Sequence, residues 1–539
     1  MYLLENPVLQ RELLVNLRMT RAFVLLFAYV GLLGLVVYVA WPSQQRLDLT
    51  NSKEAKDLVN LLFLGQFVLM SLMVPSFAGV SITGEKERRT YEMLLASPLR
   101  PGAIVLGKLL ASLCHLAVLV FASLPIVMLC LPLGGVSLWE VVATYAAMAA
   151  SVVTFGMICL AAGSYFTRSS AALVVSYMVI LPMALFGVLF YRLAEELAWF
   201  RLWMLAGVFP GVCLVVCGML FRSTCRRLLH PPDVGSEAKE VVDPDLEQRE
   251  AVGMVIHSNQ FPDRLFAPPK RNDLMADEAN PVYDKEMRSE LFGQGTLMLR
   301  LVIQLSMGLA LPLMAVCLYI VPQAAPWYTG YVLVFSMLVG PVFSAGSITS
   351  ERERQTLELL LCTTVSPWQI LWGKLLSSLR VSVVLTSFLI WPLLLAWLLP
   401  PWTYSRDTIT MLGYVAIIAA TSLTTTTLPM FCSVVFRKTT VSMMTAYLVL
   451  IGLFAVPVAV EAFARLLLLP GDPAISAIRR FTFTSPFSAS FALPLSVGQT
   501  PRLGQWPIFF AFASFYAMVN ATLLWLMLWL FDARWRVRA

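Results

Sequence analysis

The sequence predicts an all-α polytopic membrane protein of about twelve transmembrane helices, arranged as two parallel six-helix repeats. Three observations carry this. The 539-residue chain is 58% hydrophobic and only 13% charged, with a mean hydropathy of +0.76, far outside the range of soluble domains. Apolar stretches long enough to cross a hydrocarbon core of ~30 Å recur from Ala22–Trp41 through to Pro507–Phe531, about six in each half. The stretch Ser81–Leu113 also returns without a gap as Ser347–Leu379, identical at about 18 of roughly 33 positions.

The elements follow in order. Each half begins with Asn-Pro-Val, at Asn6–Val8 and Asn280–Val282. Asn suits a helix cap and Pro the next position, where no amide hydrogen is needed, so a helix is predicted to start there in both halves. Leu9, Leu13 and Leu17 share one face, as do Tyr283, Met287 and Leu291, while Arg11, Glu12 and Arg18, or Lys285, Glu286 and Arg288, take other directions. That pattern predicts a short interfacial helix before the first span of each half. The first repeat is expected over residues 1–229 and the second over 280–539. Residues 230–279 between them are polar and rich in Pro and acidic residues, a cytoplasmic linker. Six spans separate the two starts, so both halves share one orientation. The external segment at about Leu466–Trp506 carries Arg479, Arg480, Pro486 and Pro494 and predicts a re-entrant or external helix, whereas the first half crosses from Tyr191 to Arg201 almost directly.

A net charge of +7 does not imply a nucleic-acid partner, because the basic residues sit at span ends rather than on one segment. Arg11, Lys86, Arg100, Arg168, Arg222, Arg226 and Arg227 fall on one side of the first-half spans, against Arg46, Lys53, Lys56, Arg192 and Arg201 on the other. This bias puts both termini and both repeated loops in the cytoplasm, with membrane lipid around the spans. The nine cysteines show no paired spacing in the predicted external loops and read as small buried residues. Cys213 and Cys217 lie one helical turn apart with no histidine nearby, which argues against a metal. His115, His230 and His257 are scattered, and no carboxylate stands one turn from His115, so no catalytic residue is assigned and His115 reads as packing. For Asn60, Gln66, Gln304, Asn520 and the Thr424–Thr427 cluster, helix-to-helix hydrogen bonding and a substrate path remain equally open.

The repeated loop holds charges first and apolar residues second. Glu85, Lys86, Glu87, Arg88, Arg89 and Glu92 run into Met93, Leu94 and Leu95, with Ser97-Pro98 closing the helix. Glu351, Arg352, Glu353, Arg354 and Glu358 run into Leu359, Leu360 and Leu361. A helix of this kind keeps its charged end in water, while Leu94 and Leu95, or Leu360 and Leu361, pack on the membrane domain or in a partner's groove. Topology alone asks for Lys and Arg, not for matched glutamates at Glu85/Glu351, Glu87/Glu353 and Glu92/Glu358, which point to partner docking. Gly102–Leu109 nearly spells a phosphate-binding loop, but Leu109 replaces the Ser or Thr that would hold magnesium, and the second copy has Trp368 at the first glycine. This chain is therefore expected to bind no nucleotide and no other cofactor.

The pattern E-[KR]-E-R-x-T-x-E-x-L-L, then Pro, then G-K at the next span, resembles the loop between the second and third helices of ABC type 2 permeases. The resemblance covers nearly the whole chain as two fused copies. It implies coupling helices at Glu85–Leu95 and Glu351–Leu361, including Thr90 and Thr356, and connecting helices at Asn6–Arg21 and Asn280–Arg300. It also implies a second, smaller contact at Phe166–Ser169 and Phe436–Thr439, through Arg168, Arg437 and Lys438. Arg89 and Gln355 depart from the family, which often has Gly there, and the first half lacks most of the external segment before its last span. The implied function is the membrane-spanning permease subunit of an ATP-driven exporter working by alternating access. Its implied partners are two copies of a cytoplasmic ABC ATPase subunit, which would hold ATP and magnesium, with room for accessory export proteins, in a bacterial cytoplasmic (inner) membrane. Two rivals remain: a gradient-driven secondary transporter, disfavoured by the near absence of ionisable residues within spans, and a non-transporting anchor or sensor that recruits an ATPase. The scarcity of charges in the spans mildly favours an apolar or amphipathic cargo.

Overall fold

The computed structural model describes residues 6–17, 26–27, 29–31, 33–35, 37–38, 53–87, 90–130, 137–166, 169–193, 198–229, 280–289, 304, 308–321, 324–353, 355–398, 407–467, 473–494 and 505–535. The described residues are helical, with no strand among them. Ten of their helices are long and apolar enough to cross a membrane, five in each half, and a shorter apolar helix occupies Gly308–Ile320. Half of the expected first span, Ala22–Trp41, and the whole linker 230–279 lie outside the described residues. The chain divides into two compact units, Met1–Val241 and Val242–Ala539.

Unit 1 opens with α1, Pro7–Leu17. Its spans are α2, Lys53–Ala78, continued by α3, Val80–Glu87; then, after the short α4, Tyr91–Leu95, come α5, Pro101–Cys130; α6, Leu138–Tyr165; and α7, Ser169–Leu193. A short α8, Ala198–Trp203, passes through a π-helical turn, Met204–Val208, into α9, Phe209–Leu229. The start of α6 is set by a capping box: Ser137 Oγ accepts from the Glu140 amide at 3.2 Å, and the Glu140 carboxylate accepts from the Ser137 amide at 3.1 Å. The core joins α2, α5, α6 and α7 around Phe63, Met70, Leu116, Phe155 and Met157. At the end opposite the repeated loop, Arg201 is buried and pairs with Glu140 at 3.1 Å.

Unit 2 opens with α10, Pro281–Ser289, followed in the described residues by α11, Gly308–Ile320. Then come α12, Ala325–Ser344; α13, Thr349–Glu353; α14, Leu357–Leu361; α15, Pro367–Leu398; α16, Thr408–Val435; and α17, Thr439–Phe454. α17 is followed by α18, Val456–Leu467; the segment expected outside, from about Leu466 to Trp506, holds α19, Pro473–Phe481, and α20, Pro486–Ala492, before the last span, α21, Trp506–Trp535. α20 packs on α12, α16 and α21. Its irregular flanks survive because protein covers them: Ser485 Oγ donates to the Phe454 carbonyl at 2.5 Å, Tyr516 Oη to the Thr484 carbonyl at 2.5 Å and Thr410 Oγ1 to the Pro494 carbonyl at 2.7 Å.

The threonine cluster lies in the middle of unit 2, fully buried. Thr427 donates to Asn520 Oδ1 at 2.5 Å, Asn520 Nδ2 donates to Thr424 Oγ1 at 3.0 Å, and Ser336 shares hydroxyl bonds with Ser422 and Thr425, each at 3.2 Å. These bonds join α12, α16 and α21, so of the two readings the sequence left open, helix-to-helix bonding describes these residues. Gly340 permits the close approach, since a Cβ there would lie 2.6 Å from the Thr425 carbonyl oxygen.

Candidate functional site

The repeated loop is built at the end of the second span in each unit. Pro75 and Pro341 sit four residues before a slip in the helix, at Gly79 and at Ala345. A proline inside a helix removes one ladder bond and bends the axis, and the chain then resumes as α3 and α13. The charged triplets Glu85-Lys86-Glu87 and Glu351-Arg352-Glu353 therefore belong to the last turns of the span itself.

Each charge of the triplet has an internal duty, and the duties match between units. Lys86 Nζ donates to the carbonyls of Gly163, Ser164 and Phe166 at 3.0, 2.8 and 3.0 Å, the open carbonyls ending α6. Arg352 does the same at the end of α16, reaching the Phe436 carbonyl at 2.6 Å and the Val434 carbonyl at 3.4 Å. Glu87 accepts from the Ser169 amide at 2.7 Å, and Glu353 from the Thr439 amide and hydroxyl at 2.8 and 2.7 Å. A cation on helix-end carbonyls and a carboxylate on the first amide of the next helix complement both dipoles. Together they tie Phe166 and Ser169, and Phe436 and Thr439, to the loop.

Glu85 and Glu351 turn the other way, toward a buried amine. Lys108, 2% exposed, lies 3.5 Å from Glu85 and 3.6 Å from Glu12 of α1, and donates to the Ser81 carbonyl at 2.7 Å. Lys374, also 2% exposed, pairs with Glu286 of α10 at 2.5 Å and with Glu351 at 3.4 Å, while Lys285 reaches Glu351 at 2.8 Å. An ammonium this buried is tolerable only when paired, and stripping it of a partner costs about 3–5 kcal/mol. The asparagines expected as caps act at the same place. Asn6 Oδ1 accepts from the Val8 amide at 3.0 Å while Nδ2 donates to the Ala103 carbonyl at 2.6 Å. Asn280 accepts from the Val282 amide at 3.0 Å and donates to the Gln369 carbonyl at 2.7 Å. A Cβ on Gly107 would lie 2.8 Å from Asn6 Nδ2, and one on Gly373 3.0 Å from Asn280 Oδ1. The Gly-Lys pair of the repeat thus gives the asparagine room and the glutamates a charge, with no nucleotide needed to explain it.

The single helix expected over Glu85–Leu95 and Glu351–Leu361 is corrected: each copy is two helices with a break at Thr90 and Thr356. The hydroxyls of Thr90 and Thr356 donate to the carboxylates of Glu85 and Glu351, and their amides reach back five residues to the carbonyls of Glu85 and Glu351 at 3.0 and 2.9 Å. Gln355 completes the turn with φ of 59°, the left-handed region, which is why glycine suits this position. Arg88, Arg354 and Arg168 lie outside the described residues.

Beyond the break, α4 and α14 divide their residues between core and surface. Tyr91 and Leu95, and Leu357, Leu360 and Leu361, pack on the cores of their units, and Leu94 is half-buried. Glu92 and Glu358 are exposed, as are two residues that the sequence reading left out of the docking face, Met93 at 77% and Leu359 at 71%. Only their position in the repeat could have marked them. Arg437 and Lys438 are exposed on the neighbouring turn. No group of three or more metal-ligating side chains occurs among the described residues.

Residues 234–534 match a family model described as ABC-2 family transporter protein, and residues 37–215 match a second model with the same description. No curated protein and no solved structure gives a match. The chain is an integral membrane permease subunit, a transport component rather than a nucleotide-binding one, and with two such domains in one polypeptide it belongs to the ABC-2 transporter family.

Proposed function

We propose that the chain is the membrane-spanning subunit of an ATP-driven exporter, in which residues 1–229 and 280–539 act as two fused permease halves joined by 230–279. Each half receives one copy of a separate ABC ATPase, which holds ATP and magnesium, and the stroke of the ATPase pair alternates the access of a central path. The loops and both termini face the cytoplasm, in a bacterial inner membrane.

The observation that supports this best is the division of labour in the loop. Its triplet charges are consumed inside the unit, tying the loop to four helices, while an acidic and apolar tip is left uncovered at Glu92 and Met93, and at Glu358 and Leu359. A rigid base with a free apolar knob suits force transfer into the bundle, and the knob suits a hydrophobic socket rimmed by basic residues. Arg437 and Lys438 extend the same surface in unit 2.

The test is capture of a co-expressed cognate ABC ATPase by the tagged chain in detergent. Met93→Asp with Leu359→Asp is expected to weaken capture by about 100-fold, the loss typical of burying a charge in an interface hot spot, with insertion unchanged. Full capture by the double variant would overturn the docking surface.

A further inference from the structure

The two buried lysines are more than structural salt-bridge partners. Each amine is approached by carboxylates from two elements: the helix that opens the unit, through Glu12 or Glu286, and the end of the second span, through Glu85 or Glu351. The lysine itself stands near the start of the third span. Beside it, the asparagine that opens the unit is bonded to the backbone of the same span, in the space left by Gly107 or Gly373. A displacement of the loop cannot leave the opening helix or the third span behind without stranding a buried ammonium.

The joints differ in build. In unit 2, Lys374 holds Glu286 at 2.5 Å, Lys285 adds a bond of 2.8 Å to Glu351, and Arg380 donates to Tyr283 Oη at 2.8 Å. In unit 1 both carboxylates stand at 3.5 Å or more from Lys108, whose shortest contact, 2.7 Å, goes to the Ser81 carbonyl. Where unit 2 has Tyr283 and Arg380, unit 1 has Leu9 and Cys114, so the extra bond has no counterpart there.

We infer that Lys108 and Lys374 are positioning residues that make the opening helix, the loop and the third span of each unit into one lever, and that the lever of unit 2 is the stiffer. Its use in transport rests on the coupling role proposed above; its existence does not. The consequence is an unequal response: the same push on the two loops moves unit 2 as a block and is partly absorbed in unit 1.

Two measurements on the full chain test this. In detergent, without any ATPase, amide hydrogen exchange in α10 is expected to speed up about tenfold in Lys374→Met, and exchange in α1 by about threefold or less in Lys108→Met, because local opening follows the loss of local bonds. The milder Glu286→Gln, which removes one of the two carboxylates beside Lys374, gives an intermediate rate and reads the joint if Lys374→Met does not fold. Unchanged exchange in α10 in both variants overturns the joint; equal effects in the two units overturn the asymmetry. In vesicles with the cognate ATPase, Lys374→Met is expected to retain ATPase capture yet lose about fivefold in the permease-dependent change of ATP turnover, whereas Lys108→Met loses about twofold. Wild-type turnover in Lys374→Met overturns the transmission role. Failure of the unaltered chain to capture the ATPase counts against the docking reading, while the exchange result still decides the joint.

Discussion

The ends of the two units that carry the repeated loop share the same kinds of side-chain bonds, though the lysine joints differ in build. Lys86 and Arg352 cap helix-end carbonyls, Glu87 and Glu353 cap the next helix, and Lys108 and Lys374 are buried between carboxylates. At the opposite ends the described residues differ. In unit 1 the buried Arg201 of α8 pairs with the half-buried Glu140 of α6, whereas unit 2 has α18, α19 and α20, the last flanked by hydroxyl-to-carbonyl bonds. On the proposed function, the likeness lies where both halves would meet the same kind of partner, and the difference lies at the ends away from it.

Four tests would break or sharpen this contrast. The largest effect is expected inside unit 2: Gly340→Ala places a methyl 2.6 Å from the Thr425 carbonyl, against backbone that cannot swing away. A loss of about 3 kcal/mol is expected in denaturant titration of the solubilised chain. Gly346→Ala, where the nearest atom is a methyl 3.4 Å away, is the control and should stay within about 1 kcal/mol. Next, Asn520→Leu removes the acceptor of Thr427 and the donor to Thr424, and should cost about 1–2 kcal/mol in the same titration. A larger loss from Asn520→Leu than from Gly340→Ala would mean that hydrogen bonding, not close approach, holds α12, α16 and α21 together.

Third, Gly107→Ala and Gly373→Ala push the asparagine off its carbonyl at the shared end, and each is expected to cost about 1–2 kcal/mol and to raise proteolysis of the opening helix. Matching losses support the likeness of the two loop ends; a loss in one unit only would break it. The smallest effect concerns Gln355. With φ of 59° its side chain is strained, and Gln355→Gly should be neutral or stabilising by up to about 1 kcal/mol in thermal melts. A clear loss there would show that the Gln355 side chain matters more than its backbone.

Much of this was legible in the residues. The Asn-Pro-Val starts became helices beginning at Pro7 and Pro281, since cap chemistry is local. The spans were legible because hydropathy over twenty residues has few competing explanations. What the glutamates of the loop touch was not legible. Glu87 and Glu353 meet backbone amides, and Lys86 and Arg352 meet backbone carbonyls, more than seventy residues away along the chain. Main-chain partners leave no trace in side-chain identity. Duplicated acids therefore read as docking groups when, in Glu85, Glu87, Glu351 and Glu353, they serve the unit itself. The break at Thr90 and Thr356 was hidden for a related reason: Gln at a left-handed position is an unusual choice, and helix-forming residues stand on both sides of it.

The seating of the opening helices also orders how the protein is made. The bonds from Asn6 to Ala103 and from Asn280 to Gln369 span 97 and 89 residues. At a synthesis rate of ~5–20 residues per second, each opening helix leaves the ribosome on the order of 5–20 s before its seat exists. Through that interval its face of Leu9 and Leu13 can rest only on lipid or a chaperone, and Glu12 waits for the lysine that it will help to bury. Seating of each opening helix thus waits for the third span of its half, and a chain arrested before that point would carry a loose amphipathic arm.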